Sequence, residues 1–170
     1  MLERGEVAEA SDEVSRGKYE YIGTAAAMYS MEHSEVRNFA MPSMRARHNS
    51  GYWRDEPYVG LGPGAHSYDG DNVRSSNPSD LKTYIMSDGM PEREVEVLDE
   101  DCLYEEKVLK GLRTIDGLDL STLKPKYREY AMKMAEPHIK SGRMVQCGDV
   151  LRLTEDGIFV SNDIMSDMML

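Results

Sequence analysis

The sequence predicts a mixed α+β or α/β fold, on three observations. An amphipathic helical pattern near the N-terminus is followed by short strand-like segments, the grammar of an α/β layer. The second half alternates helical patterns with a two-stranded hairpin. With 40% apolar and 30% charged residues, the 170-residue chain is long enough to bury a real core.

Taken in order, Ser11 caps a helix from about Glu13 to Met31, with Val14, Tyr21, Ile22, Ala25 and Met28 as its apolar stripe and Gly17 and Gly23 weakening it. The stretch HSEVRNFAMP reads as a short strand anchored by Val36 and Phe39 and closed by Pro42. Residues 43–56 read as a polar, turn-rich loop interrupted by Tyr52 and Trp53. A second strand enters YVGLGPGAHSYDG, where Val59 and Leu61 alternate with Gly60, Gly62 and Gly64, glycines that would let another backbone or a flat ligand approach, while Pro63 implies a bulge or an edge. Asn77 and Pro78 open a short helix that stops at Gly89.

The segment PEREVEVLDE reads as an extended connector, so a domain boundary is expected near residues 90–98, dividing the chain into 1–92 and 93–170. Beyond it come a helix capped by Asp99 (about 100–114), the loop GLDLSTL, a helix over about 122–141, a hairpin turning at Gly148 and Asp149, and a helix capped by Thr154 over about 155–168. Helices followed by a two-stranded wing predict a small winged-helix-like domain.

Charge narrows the partners. Thirty-one acidic against twenty basic residues give a net charge of -11, which repels phosphate backbones and anionic membrane surfaces. The basic side chains of LKPKYREYAMKM alternate with Glu129 and Glu136, as on a solvated helix face, so the wing does not by itself predict nucleic-acid binding. No apolar run approaches the ~18 residues of a membrane span, and the N-terminus lacks the apolar centre of a secretory signal, so a cytoplasmic protein is expected. Cys102 and Cys147 stand in unrelated contexts and read as structural thiols. Among thirteen methionines, those of the MSDMML terminus read as packing.

One cluster stands out. HNSGYW places the only Trp, a His, an Asn and a Tyr within six positions. Imidazole can ligate iron, Asn49 can orient the ring of His48, and Tyr52 and Trp53 offer flat faces on which a porphyrin could stack. The plainer alternative is a packed turn in which Trp53 plugs a barrel end and Asn49 pins a loop. His33 and His138 have no such neighbours in sequence and read as surface or helix-end residues. Asp55, Glu56, Asp69 and Asp71 lack the ligand spacing of a calcium loop and are assigned no role. No nucleophile elbow, P-loop, HExxH or CxxC occurs.

The segments MLERGEV, NFAMP, RHNSGYW, YVGLGPGAHSYDG, NPSDLKTYI, VLKGLRTIDGLDL and LRLTEDG resemble, in that order, the C-terminal part of the oxygen-independent coproporphyrinogen III oxidase-like radical SAM proteins. HNxxYW brings the likeness closer to the HemW-type haem chaperone branch. The resemblance implies the end of a partial (β/α) radical SAM barrel over residues 1–92 and the family's winged-helix-like accessory domain over 93–170. It makes His48, Asn49, Tyr52 and Trp53 haem-associated positions, with His48 the candidate iron ligand. It makes Gly64, Ala65 and His66 candidate contacts for S-adenosylmethionine in a full-length parent.

In that parent a CxxxCxxC loop would hold a [4Fe-4S] cluster; this chain has no such triad and is expected to be inactive by itself. The alternative parent is the oxidase itself, which decarboxylates porphyrinogen propionates oxidatively. Haem or a porphyrin, a haem-acceptor protein and a second copy of the chain are the implied partners, with membrane association only through partners. Two positions depart from the family pattern, Arg37 where Ser is common and Met41 where Arg is common.

Overall fold

The structure, a computed structural model, describes residues 10–36, 38–88 and 90–170. MLERGEV, Arg37 and the helix stop expected at Gly89 lie outside the described residues. Helix α1 spans Asp12–Met28, its N-terminus closed by the Ser11 hydroxyl, which accepts from the Val14 N–H at 3.3 Å. The stripe expected on it is not core: Tyr21 is 76% and Met28 82% exposed, and Ala26 is the helix's buried residue. Periodicity fixed the helix, but among the described residues no neighbouring element covers that face.

Instead of one strand, HSEVRNFAMP forms an antiparallel hairpin, β1 (Glu32–Glu35) with β2 (Asn38–Ala40). It abuts the second half of the chain through Val36 N–H to the Arg113 carbonyl at 2.9 Å and Ile115 N–H to the Ser34 carbonyl at 3.2 Å. The stretch expected as a loop contains helix α2 (Arg47–Trp53).

The glycine-rich segment is strand only at its end, β3 (His66–Tyr68), which pairs with β4 (Val73–Ser76) and through it with β5 (Glu94–Val97) in a three-stranded antiparallel sheet. Val59 and Leu61 are exposed, and before β3 only Tyr58 pairs with the sheet, opposite Tyr68. Gly60 is needed because a Cβ there would lie 2.1 Å from the His66 carbonyl oxygen. Helix α3 (Leu81–Met86) starts one turn later than expected, capped by Asp80. Asn77 is buried, its amide donating to the Gly62 carbonyl at 2.9 Å. The expected connector is β5 itself, so pairing continues past residue 92.

The second half follows its sequence pattern closely. Helix α4 (Glu100–Leu112) is capped by Asp99, β6 (Leu118–Asp119) leads into a 3-10 turn (Leu120–Thr122), and α5 (Pro125–Lys140) has proline at its first position. The hairpin β7 (Met144–Cys147) and β8 (Val150–Leu153) completes a sheet of order β6-β8-β7. Thr154 caps as expected, but Val160 interrupts the last helix, giving α6 (Glu155–Phe159) and α7 (Ser161–Asp167).

The core lies here. Tyr104, Val108 and Leu112 repeat every four residues on α4, and Tyr127, Ala131 and Ala135 do so on α5, so each helix turns one stripe toward Leu118, Met144 and Leu151 of the sheet. Burying each Leu- or Met-sized side chain stabilises the fold by ~1.5–3 kcal/mol. Tyr104 stacks on Tyr127 with centroids 5.0 Å apart and donates to the Met168 carbonyl at 2.9 Å, which ties down the methionine-rich terminus. Met165 and Met168 are fully buried there.

Candidate functional site

Helix α2 carries HNSGYW whole. At 3.6 residues per turn, positions four apart share a stripe, so the motif divides into two pairs about 100° apart. His48 and Tyr52 form the first: Nε2 of His48 lies 3.2 Å from the Tyr52 hydroxyl, and the rings meet edge to face at 5.0 Å. Both are exposed. Tyr52 meets Tyr58 at 4.8 Å, and Tyr58 meets Tyr68 of β3 at 6.3 Å, so a row of rings runs from His48 into the sheet.

Asn49 and Trp53 form the second pair and line a groove of about 740 Å³ with Phe39, Met41 and Met44. Among the described residues the buried indole N–H of Trp53 has no hydrogen-bond partner. Tyr52 and Trp53 therefore do not share one face, as two residues flanking the same macrocycle would.

The residues around α2 hold it in place. Arg45, just before the helix, donates to Glu32 of β1 at 2.9 Å and to Asp116 at 3.0 Å, and hydrogen bonds to Asp116 and Glu32 raise its guanidinium pKa. Asp55, just after it, adopts a left-handed backbone (φ +57°) and pairs with Lys110 of α4, which also bonds Glu106 at 3.0 Å. Glu106 in turn takes Arg74 of β4 at 2.5 Å. Burial alone would lower the Lys110 ammonium, yet its bonds to Asp55 and Glu106 leave it raised. Asp55 is thus not a solvated loop carboxylate. The Lys110 cluster joins residues far apart in sequence, and no local pattern signals it.

Gly64 and Ala65 lead into β3, and His66 begins it. Gly64 has φ +68° and donates to the Pro78 carbonyl at 2.9 Å, Ala65 accepts from the Asn77 N–H at 2.9 Å, and His66 is exposed opposite Ser76. Among the described residues the buried Oδ1 of Asn77 has no hydrogen-bond partner.

The other histidines are structural. His33 stacks on Phe39 at 4.3 Å and bonds the Val36 carbonyl at 3.1 Å, while His138 is buried 3.3 Å from Asp167. His33, part-buried in β1, departs from the expected surface or helix-end position, whereas His138 does lie in the last turn of α5, though buried. Cys102 and Cys147 are free and exposed. Among the described residues no three His, Cys, Asp or Glu side chains cluster to hold a metal. Among the described residues no helix is long and apolar enough to cross a membrane.

No protein-family model matches the chain. It is 31% identical over 172 residues to the haem chaperone HemW of Mycobacterium tuberculosis (strain H37Rv), covering 99% of this chain and 43% of that protein. Relatives named haem chaperone HemW thus span nearly the whole of this chain.

HemW of Bacillus subtilis (strain 168) is 29% identical over 130 residues, covering 75% of this chain and 34% of the relative. The Danio rerio mitochondrial protein named radical S-adenosyl methionine domain-containing protein 1 is 27% identical over 187 residues, covering 100% of this chain and 42% of its own length. The chain thus spans less than half the length of the HemW-type relatives it matches. The fold matches the Escherichia coli coproporphyrinogen III oxidase HemN, a radical SAM enzyme, with a TM-score of 0.63 at 17% identity, over 88% of this chain and 39% of that one.

Proposed function

We propose that this chain is the haem-binding C-terminal portion of a HemW-like haem chaperone, in which His48 ligates the haem iron. The observation that carries this reading is α2. HNSGYW folds as one helix that leaves the His48 imidazole exposed, with Tyr52 beside it as an aromatic wall. Asn49 and Trp53 serve the same site from the adjoining groove, seating the helix on the β1–β2 hairpin. Relatives named as haem chaperones support the assignment.

Residues 1–92 are read as the closing part of a radical SAM barrel and 93–170 as its winged-helix-like accessory domain, supported by the fold likeness to HemN and by the β6-β8-β7 sheet with its terminal hairpin. In a full-length parent Gly64, Ala65 and His66 would face S-adenosylmethionine, and the [4Fe-4S] cluster would come from outside these residues. A haem-acceptor protein and a second copy pairing at the exposed edge of β5 are the partners this reading expects.

The test is a haemin titration followed at the Soret band, beside His48→Ala. A saturable shift lost in the variant supports the reading, and a shift that survives unchanged overturns it. The second reading, a portion of an oxygen-independent coproporphyrinogen III oxidase, rests on the fold likeness alone. It requires the full-length form to convert coproporphyrinogen III, and product analysis of that reaction decides it.

A further inference from the structure

The arginines at the two ends of α2, Arg47 and its C-terminal cap Arg54, have no part in the reading above. Arg47, His48, Ser50 and Arg54 border one concavity of about 650 Å³ with Arg45, Glu32 and Glu56. Arg45 is committed to Glu32 and Asp116. Arg47 has no acidic partner within 4 Å among the described residues, and Arg54 has only Asp116, at 3.8 Å. Ser50 donates its hydroxyl proton to the Ala46 carbonyl at 2.9 Å, so its hydroxyl is not a donor toward the concavity. The two available donors are guanidiniums seven residues apart, on one stripe of the helix and ~10 Å apart along its axis. His48 follows Arg47 directly, so its imidazole stands one step round the helix from them. The opposing charge is Glu56, whose carboxylate packs over Gly51 between them.

We propose that Arg47 and Arg54 anchor the ionised carboxylate side chains of a tetrapyrrole whose centre faces His48, making the site selective for free-acid porphyrins. This rests on the haem-binding reading and adds the ligand's chemical class to it. Guanidinium forks carboxylates in a planar, charge-assisted pair, stronger than neutral hydrogen bonds and hard to replace by lysine or water. In a chain of net charge -11 a ligand with two carboxylates is otherwise repelled, so Arg47, with no acidic partner among the described residues, and Arg54, held only by an exposed 3.8 Å pair to Asp116, are the feature that admits it. Glu56 tempers that attraction.

The test compares haemin, its dimethyl ester and metal-free protoporphyrin IX in one detergent buffer, on the wild-type chain and on Arg47→Gln/Arg54→Gln, Glu56→Gln and His48→Ala. The wild type is expected to bind haemin at least tenfold tighter than the ester, and the arginine double variant to remove that preference while leaving ester binding unchanged. Glu56→Gln should strengthen haemin and not the ester, and protoporphyrin should respond to the arginines but not to His48→Ala. The ester comparison uses the unmodified chain, so it stands whether or not a variant folds. Haemin binding that depends on His48 yet is equalled by the ester overturns this inference alone. Binding that depends on the arginines but not on His48 overturns iron ligation alone, and no binding of any of the three overturns both.

Discussion

His48 shows how one side chain's neighbour sets its chemistry. Its Nε2 lies 3.2 Å from the Tyr52 hydroxyl, a hydrogen bond that occupies a nitrogen that ligation at that position needs. Tyr52→Phe keeps the ring and removes the competitor, so haemin affinity is expected to rise about threefold, read from the Soret titration. Far from the site, Gly157 lies in the first turn of α6, where a Cβ would lie 1.9 Å from the carbonyl oxygen of Arg143, just before the β7–β8 hairpin. Backbone cannot yield as a side chain can, so Gly157→Ala is expected to destabilise the chain by about 2–3 kcal/mol in urea unfolding.

At the scale of elements, α2 is a short helix with no buried residue and no side-chain cap. Seven residues cannot hold a helix in water by propensity, so its position comes from the contacts at its two ends. Arg45 ties the entry to β1 and Asp116, and Lys110 ties the exit through Asp55. The Lys110 side chain is 17% exposed and faces two carboxylates. Lys110→Met would leave Asp55 without its cation while Glu106 keeps Arg74, with an expected loss of about 2 kcal/mol and weakened haemin binding where α2 loosens. Urea unfolding followed by circular dichroism checks the first, and the Soret titration the second.

Across the whole molecule, the large buried side chains concentrate beyond residue 98, whereas α1, α3 and β5 turn Tyr21, Ile85 and Val97 outward. The molecule also responds to acid as a whole through its caps and turns. Asp69 is held below the usual carboxylate range by the backbone N–H groups of Asp71 and Val73, Asp80 by that of Thr83, Asp99 by that of Cys102, and Asp119 by the hydroxyl and N–H of Ser121. Each folded-state pKa lies below its unfolded value of about 3.9, so the contribution is complete above that value and drains away as pH falls through the folded one. The urea midpoint is expected to stay level from pH 6 to pH 5 and to drop below pH 4.

What the sequence determined by itself is local: the Ser11, Asp99 and Thr154 caps, the two long helices of the second half, the turn at Gly148 and the identity of the HNSGYW cluster. Capping and 3.6-residue periodicity act over one or two turns and can be read along the chain. Tertiary structure decided the rest. It split HSEVRNFAMP into a hairpin, because strand pairing is a long-range choice that alternation alone does not make. It wound residues 47–53 into a helix by ion pairs to distant elements. It left the α1 stripe exposed, because periodicity gives a helix its apolar face but only a packed neighbour makes that face a core.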